Sequence, residues 1–177
     1  PAVDKNTITF EFENVSELTA WNQIEPGWMI KDGSLTCLKP ALNQRIECSR
    51  VLAGDVVVTY DGRTGADMGL SFVDVSDTSK FDRVIVGGIK GDQVGVLASG
   101  KAKAKAVPCR IADMNIHTVT VTKTSSSLAV SIDGKQLLKV PTTQVHQPKH
   151  FKLRLHLWEK SGSFSNLSIR PIQEETE

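Results

Sequence analysis

The 177 residues include 21 Lys and Arg against 20 Asp and Glu, a formal charge of +1, and 40% of them are apolar. So balanced a chain has no global field to draw it to nucleic acid or to an anionic membrane, and any charged site must be local. No apolar run approaches the roughly 18 residues that span a bilayer, and the opening Pro-Ala-Val-Asp-Lys lacks the charged and apolar regions of a leader, so membrane insertion is not expected. The length suits one water-soluble domain over residues 1–177 with a substantial core. The start at Pro1 and the acidic Glu174, Glu175 and Glu177 read as trimmed ends of a larger protein, or, for the start, as removal of a methionine. Three cysteines are too few for a disulfide scaffold, and their spacing fits no zinc or redox motif.

In chain order, residues 7–13 come first, with Ile8, Phe10 and Phe12 on one face and Thr7, Thr9, Glu11 and Glu13 on the other. This predicts a strand with one packed and one solvated side. Residues 15–20 read as a short helical turn capped by Asn14 or Ser16, and segments 28–30 and 34–38 flank a hairpin turn at Asp32-Gly33. Cys37 and Cys48 flank a reversal at 39–43, as a bridge across two strands or as two half-buried thiols. Strands are expected at 45–50, 55–61 and 68–73, with Gly54, Gly62 and Gly65 as turn residues. The polar segment between Asp74 and Asp82, residues 75–81, reads as a loop, and 84–88 then pairs with 93–99 around Lys90-Gly91-Asp92. Lys101, Lys103 and Lys105 alternate with alanines. That pattern suits an edge strand protected against sheet-to-sheet association, or, with Arg110, a charge-based site for sulfated or carboxylated glycans.

The clearest period-two pattern lies in residues 115–140, where alternating segments flank Ser125-Ser126-Ser127 and a second reversal starts at Asp133-Gly134, making a β-meander. Residues 150–158 turn Phe151, Leu153, Leu155 and Leu157 inward and His156 and Trp158 the other way, and 163–172 closes the chain with Phe164, Leu167 and Ile169. About a dozen strands without a long amphipathic helix exceed one open sheet and predict an all-β fold of two stacked antiparallel sheets.

This order of features resembles the concanavalin A-like jelly-roll sandwiches, and among them the 3-keto-disaccharide hydrolase family, over nearly the whole chain. The resemblance rests on Trp21, Trp28 and Asp32-Gly33, on Phe81-Asp82, on Gly95-Val96-Leu97, on the Asp133-Gly134 hairpin, and on the closing Phe164, Asn166, Leu167 and Ile169. It implies a jelly roll and a sugar-cleaving activity. The chain departs from the family pattern where an arginine is usual at the end of one middle strand and Val73 stands here. It departs again where a glutamine and a histidine are replaced by His156 and Trp158.

A glycosidase of the usual kind needs two carboxylates about 5 Å or about 6.5–9.5 Å apart. No strand presents a clustered pair, and Glu11 and Glu13 read as a solvated face. A Gly-x-Ser-x-Gly nucleophile elbow is also missing. Sugar binding asks for less, an exposed ring and a few planar polar groups, for which Trp158 and His156 are the first candidates, followed by Asp61, Arg63 and Arg83; Trp21 and Trp28 read as packing. Asp74, Asp77 and Asp82 crowd one segment and are candidate ligands of a structural calcium, and no other cofactor is expected. The sequence thus reads as a non-catalytic carbohydrate-binding or adhesive module of a larger secreted or extracytoplasmic protein, with a glycan or a neighbouring domain as partner. The alternatives are a hydrolase or lyase acting on 3-keto-disaccharides or related glycosides, and a purely structural domain.

Overall fold

Sixteen strands are seen in the computed structural model, which describes residues 6–37, 43–65, 67–88, 92–100, 105–111, 113–158 and 162–172. The turn residues Lys39 to Leu42 and Lys90-Gly91, together with Lys101, Lys103 and both chain ends, lie outside the described residues. In chain order the strands are β1 (Ile8–Phe10), β2 (Trp21–Gln23), β3 (Trp28–Lys31), β4 (Ser34–Cys37), β5 (Gln44–Cys48), β6 (Leu52–Ala53), β7 (Val56–Thr64) and β8 (Met68–Asp74). They continue as β9 (Phe81–Gly87), β10 (Gln93–Ala98), β11 (Lys105–Pro108), β12 (Ile116–Lys123), β13 (Ser127–Ile132), β14 (Lys135–Pro141), β15 (His150–Leu157) and β16 (Gly162–Pro171). The first sheet runs β14-β13-β12-β7-β16-β4-β3 with β1 beside β16, and the second runs β11-β10-β9-β8-β15-β5-β2 with β6 beside β15. All the pairings are antiparallel, so the fold is a two-sheet jelly-roll sandwich, as the alternation predicts.

The inward face of every long strand carries the alternating apolar residues, and these meet in one core. Phe72 and Phe151 pack edge to face at 5.2 Å between ring centres, Tyr60 and Phe164 meet at the same distance, and Trp21 stands edge-on to Phe10 at 5.1 Å. Trp21 and Trp28 are both buried, as expected of packing residues. The 3₁₀ turn Val15–Ala20 is capped by Asn14, whose side chain accepts from the Ser16 N–H, while Glu17 reaches back to the Asn14 N–H. Asp32-Gly33 and Asp133-Gly134 both have positive φ at the two turn positions, the mirror-image geometry that suits the twist of a tight hairpin.

The structure corrects several local expectations. The first strand is only Ile8–Phe10: Phe12 takes a φ of 57°, which turns its ring into the core, and Glu11 and Glu13 fall beyond the strand. Gly62 is no turn residue but lies inside β7, where a Cβ would stand 2.8 Å from the sulfur of Met68. The polar loop is shorter than 75–81, because Phe81 already pairs with Val73 of β8 and opens β9. Cys37 and Cys48 do not face each other: Cys37 lies opposite Trp28 in the first sheet, Cys48 opposite Trp21 in the second, and neither is in a disulfide. Lys105 does sit on an edge strand, β11.

The meander is locked at its turn by charge. His117 of β12 lies 2.8 Å from Asp133 and 3.2 Å from Asp113, and Asp133 also accepts from the Thr118 N–H at 2.9 Å. These carboxylates, Asp133 foremost, raise the His117 pKa above its ordinary value, while hydrogen bonds from Asn115 hold Asp113 down at about 2. A raised histidine contributes stability that is fully present below its unfolded pKa of about 6.5 and is lost as pH rises through the higher folded value. Denaturant titrations of the wild type and His117→Asn should therefore show a larger gap at pH 5.5 than at pH 8.5. An equal gap at both would show that the ion pair carries no stability.

Candidate functional site

The outer face of the second sheet is built by the residues that alternate with the core. Directly paired residues in adjacent antiparallel strands point to the same side, so the register defines rows across this face. One row runs Asn22, Glu47, Arg154, Ser71, Arg83 and Leu97 over β2, β5, β15, β8, β9 and β10. The next runs Arg45, His156, Gly69, Ile85 and Gly95. A third joins Lys152, Val73 and Phe81. The place where the resemblance expects an arginine is thus apolar, while cations come from the strands on either side.

Four cations and two carboxylates meet here. Arg154 donates through Nε and Nη2 to Glu47 Oε2 at 3.1 and 2.7 Å, and Lys152 Nζ lies 3.4 Å from Glu47 Oε1. Arg45 grips Glu25, from the segment between β2 and β3, with Nε at 3.0 and 3.1 Å from its two oxygens and with Nη2 on Oε1. Arg83 lies over the ring of Phe81 at 5.3 Å and directs Nε to Ser71 Oγ at 3.4 Å. No salt bridge joins it to a carboxylate among the described residues. Burial, with the fields of Arg45 and Arg154, lowers the Arg83 pKa from its ordinary value.

His156 is the most unusual group of the face. It is 4% exposed, and neither Nδ1 nor Nε2 has a hydrogen-bond partner among the described residues. Its ring lies over Gly69, where a Cβ would come within 3.1 Å of Nε2. Burial first, then Arg83 and Arg154, hold its pKa well below the ordinary value, so the imidazole is neutral, with one N–H to give and one nitrogen to accept. Trp158 follows the end of β15 with its side chain exposed and its N–H on the Asp67 carbonyl at 2.9 Å.

The sequence-derived candidates divide between two faces. His156 and Arg83 come together on the second sheet. Asp61 and Arg63 lie on β7 of the first sheet, where they line a separate groove of about 560 Å³ with Glu11, Glu13, Asp32 and Asn166. There Asp61 is already held by the Thr118 hydroxyl at 2.7 Å and the Asn166 amide at 2.8 Å. The calcium candidates are not brought together. Asp74 and Asp77 accept from the backbone and hydroxyl of Ser76 and Ser79, while Asp82 is buried against the N–H groups of His146 and Gln147. Among the described residues no group of three His, Cys, Asp or Glu side chains can hold a metal ion. Sequence reasoning missed Arg45, Glu47, Lys152, Arg154 and Ser71. Their even or odd positions beside core residues were visible, but the adjacency of their strands was not.

The fold recurs in solved structures. A Crh5 transglycosylase in complex with NAG superposes with a TM-score of 0.75 at 14% identity, covering 95% of this chain and 85% of that one. A beta-glucanase of Bacillus licheniformis gives 0.73 at 11% identity over 95% and 99%. The carbohydrate-binding module CBM66 from Bacillus subtilis gives 0.69 at 13% identity over 85% and 95%. The shared feature is the fold. No family model matches the chain, and no curated protein matches it.

Proposed function

We propose that the chain is a non-catalytic carbohydrate-binding module whose ligand lies across the outer face of the second sheet. The observation that carries this reading is His156, a buried neutral imidazole with both nitrogens unpartnered on the outer side of a sheet, ringed by arginines and with the exposed Trp158 at the end of its own strand. Planar donors and acceptors beside an aromatic ring are what sugar hydroxyls and the apolar side of a pyranose need. The fold neighbours named for binding or processing carbohydrate support the same class, as analogy of fold. Against catalysis of the two-carboxylate kind, Glu25 and Glu47 are each held by arginine, which leaves their oxygens occupied. The module would serve a larger secreted or extracytoplasmic protein, which fractionation of the source cells checks.

A glycan array at low and moderate salt tests the binding. Retention of one glycan class is expected, and silence on both neutral and acidic glycans overturns the reading. The same glycans should be recovered intact. Release of monosaccharide from 3-keto-disaccharides would instead establish the hydrolase or lyase alternative, for which His156 is the one unoccupied base on this face.

A further inference from the structure

We infer that Arg83 and His156 form a subsite for the carboxylate of a uronic acid residue, an inference that rests on the carbohydrate-binding reading and specifies its ligand. Three observations converge. Arg45 and Arg154 are neutralised within the chain by Glu25 and Glu47, whereas among the described residues Arg83 meets only the Ser71 hydroxyl and the Phe81 ring, so no anionic partner is seen there for this one cation of the face. His156, one row along on the far side of β8, has two ring nitrogens without a hydrogen-bond partner among the described residues, although its side chain is almost wholly buried. Gly69 gives the floor of the site no side chain of its own, and the space a Cβ would take there is bounded by His156 Nε2 at 3.1 Å.

The chemistry separates an acidic sugar from a neutral one. A guanidinium presents a planar fork that matches the two oxygens of a carboxylate, and the pair is stronger than a hydrogen bond between neutral groups. Phe81 holds the Arg83 plane from one side, which limits the conformations open to the fork. The neutral imidazole then donates one N–H to the carboxylate or a ring oxygen and accepts a hydroxyl proton at the other nitrogen. A sugar bearing both a carboxylate and neighbouring hydroxyls meets all of these demands; a simple anion leaves the accepting nitrogen empty, and a neutral sugar leaves Arg83 without a counter-charge. The surplus of cations over carboxylates on the face adds a long-range attraction that salt screens.

Calorimetric titration of the whole chain with oligomers of galacturonate, glucuronate and mannuronate, their methyl esters, a neutral glucan and a sulfated glycan decides the matter. At least one oligouronate should bind, its methyl ester about tenfold or more weakly, as expected when a hydrogen bond to a charged group is lost, and its affinity should fall as salt rises. Arg83→Gln should cost about the same tenfold on the uronate and little on its ester. Arg83→Lys, which keeps the charge without the fork, should fall between. Arg63→Ala, on the other sheet, should bind like the wild type. Equal binding of uronate and ester, or an Arg83→Gln variant that binds uronate normally while its melting curve matches the wild type, overturns the subsite and leaves carbohydrate binding standing. Preference for the sulfated glycan overturns the carboxylate. Failure of every glycan, neutral ones included, removes the broader reading and this one with it.

Discussion

Asp82→Ala is expected to lower stability by about 3 kcal/mol, because two charge-assisted hydrogen bonds are lost and two half-buried N–H groups are orphaned. The Asp82 side chain is 1% exposed, and its oxygens accept from the backbone of His146 at 2.7 Å and of Gln147 at 2.8 Å. Those residues belong to the crossing between β14 of the first sheet and β15 of the second, so the carboxylate, on β9, fastens the second sheet to the connection that arrives from the first. His146 adds a second tie, its Nε2 lying 2.6 Å from the Ser99 carbonyl. Lys123, buried nearby over the Phe151 ring at 4.8 Å, also feels the negative field of Asp82 and would lose it. For a chain of this size the loss should appear as a fall in Tm of about 6–12 °C. Asp82→Asn keeps one acceptor oxygen and should lie between. A change within about 0.5 kcal/mol, the range of ordinary surface substitutions, would show that the crossing does not depend on this carboxylate.

Gly69→Ala is expected to damage both fold and site. A Cβ at this position would stand 2.0 Å from the Val84 carbonyl oxygen and 3.1 Å from His156 Nε2. The first contact is with backbone, so it is relieved only by shifting β8 against β9 in the middle of the second sheet. Overpacking of this kind sits at the upper end of its usual range, about 3 kcal/mol. The second contact pushes the imidazole off its seat, so glycan affinity should drop even in the molecules that remain folded. Thermal melts and calorimetry on the same preparation separate the two effects. A variant that melts with the wild type would show that the strand pair yields freely, and unaltered glycan binding would show that the imidazole's position does not matter to the ligand.

Much of the fold was legible because its rules are local. The face on which Phe151, Leu153, Leu155 and Leu157 lie follows from the strand pleat, and the hairpins at Asp32-Gly33 and Asp133-Gly134 follow from residues that tolerate positive φ. The capped turn at Asn14 was legible for the same reason. Errors arose where a local signal had a distant cause. Gly62 looked like a turn because glycine often marks one, yet it is small because Met68 of β8 occupies the space beside it. Phe12 fitted a continuing strand by parity, but a φ of 57° delivers its ring to the core beside Phe10 and Trp21. The calcium candidates were close in sequence, and their oxygens had already been claimed by Ser76, Ser79 and the 146–147 backbone.

The site shows the division most clearly. Sequence alone determined that this is an all-β chain of alternating strands, and that His156 faces away from Leu155 and Leu157 on its own strand. Only the tertiary structure decided that Arg83 and His156 flank β8 one row apart on the same face, that Asp61 and Arg63 belong to the opposite sheet, and that Glu47 neutralises Arg154 across 107 residues of chain. The physical reason is that the pleat fixes the direction of a side chain from its own strand, whereas its neighbours across the sheet depend on which strands pair and in what register. That choice is made by burial over the whole core, and no short stretch of sequence contains it.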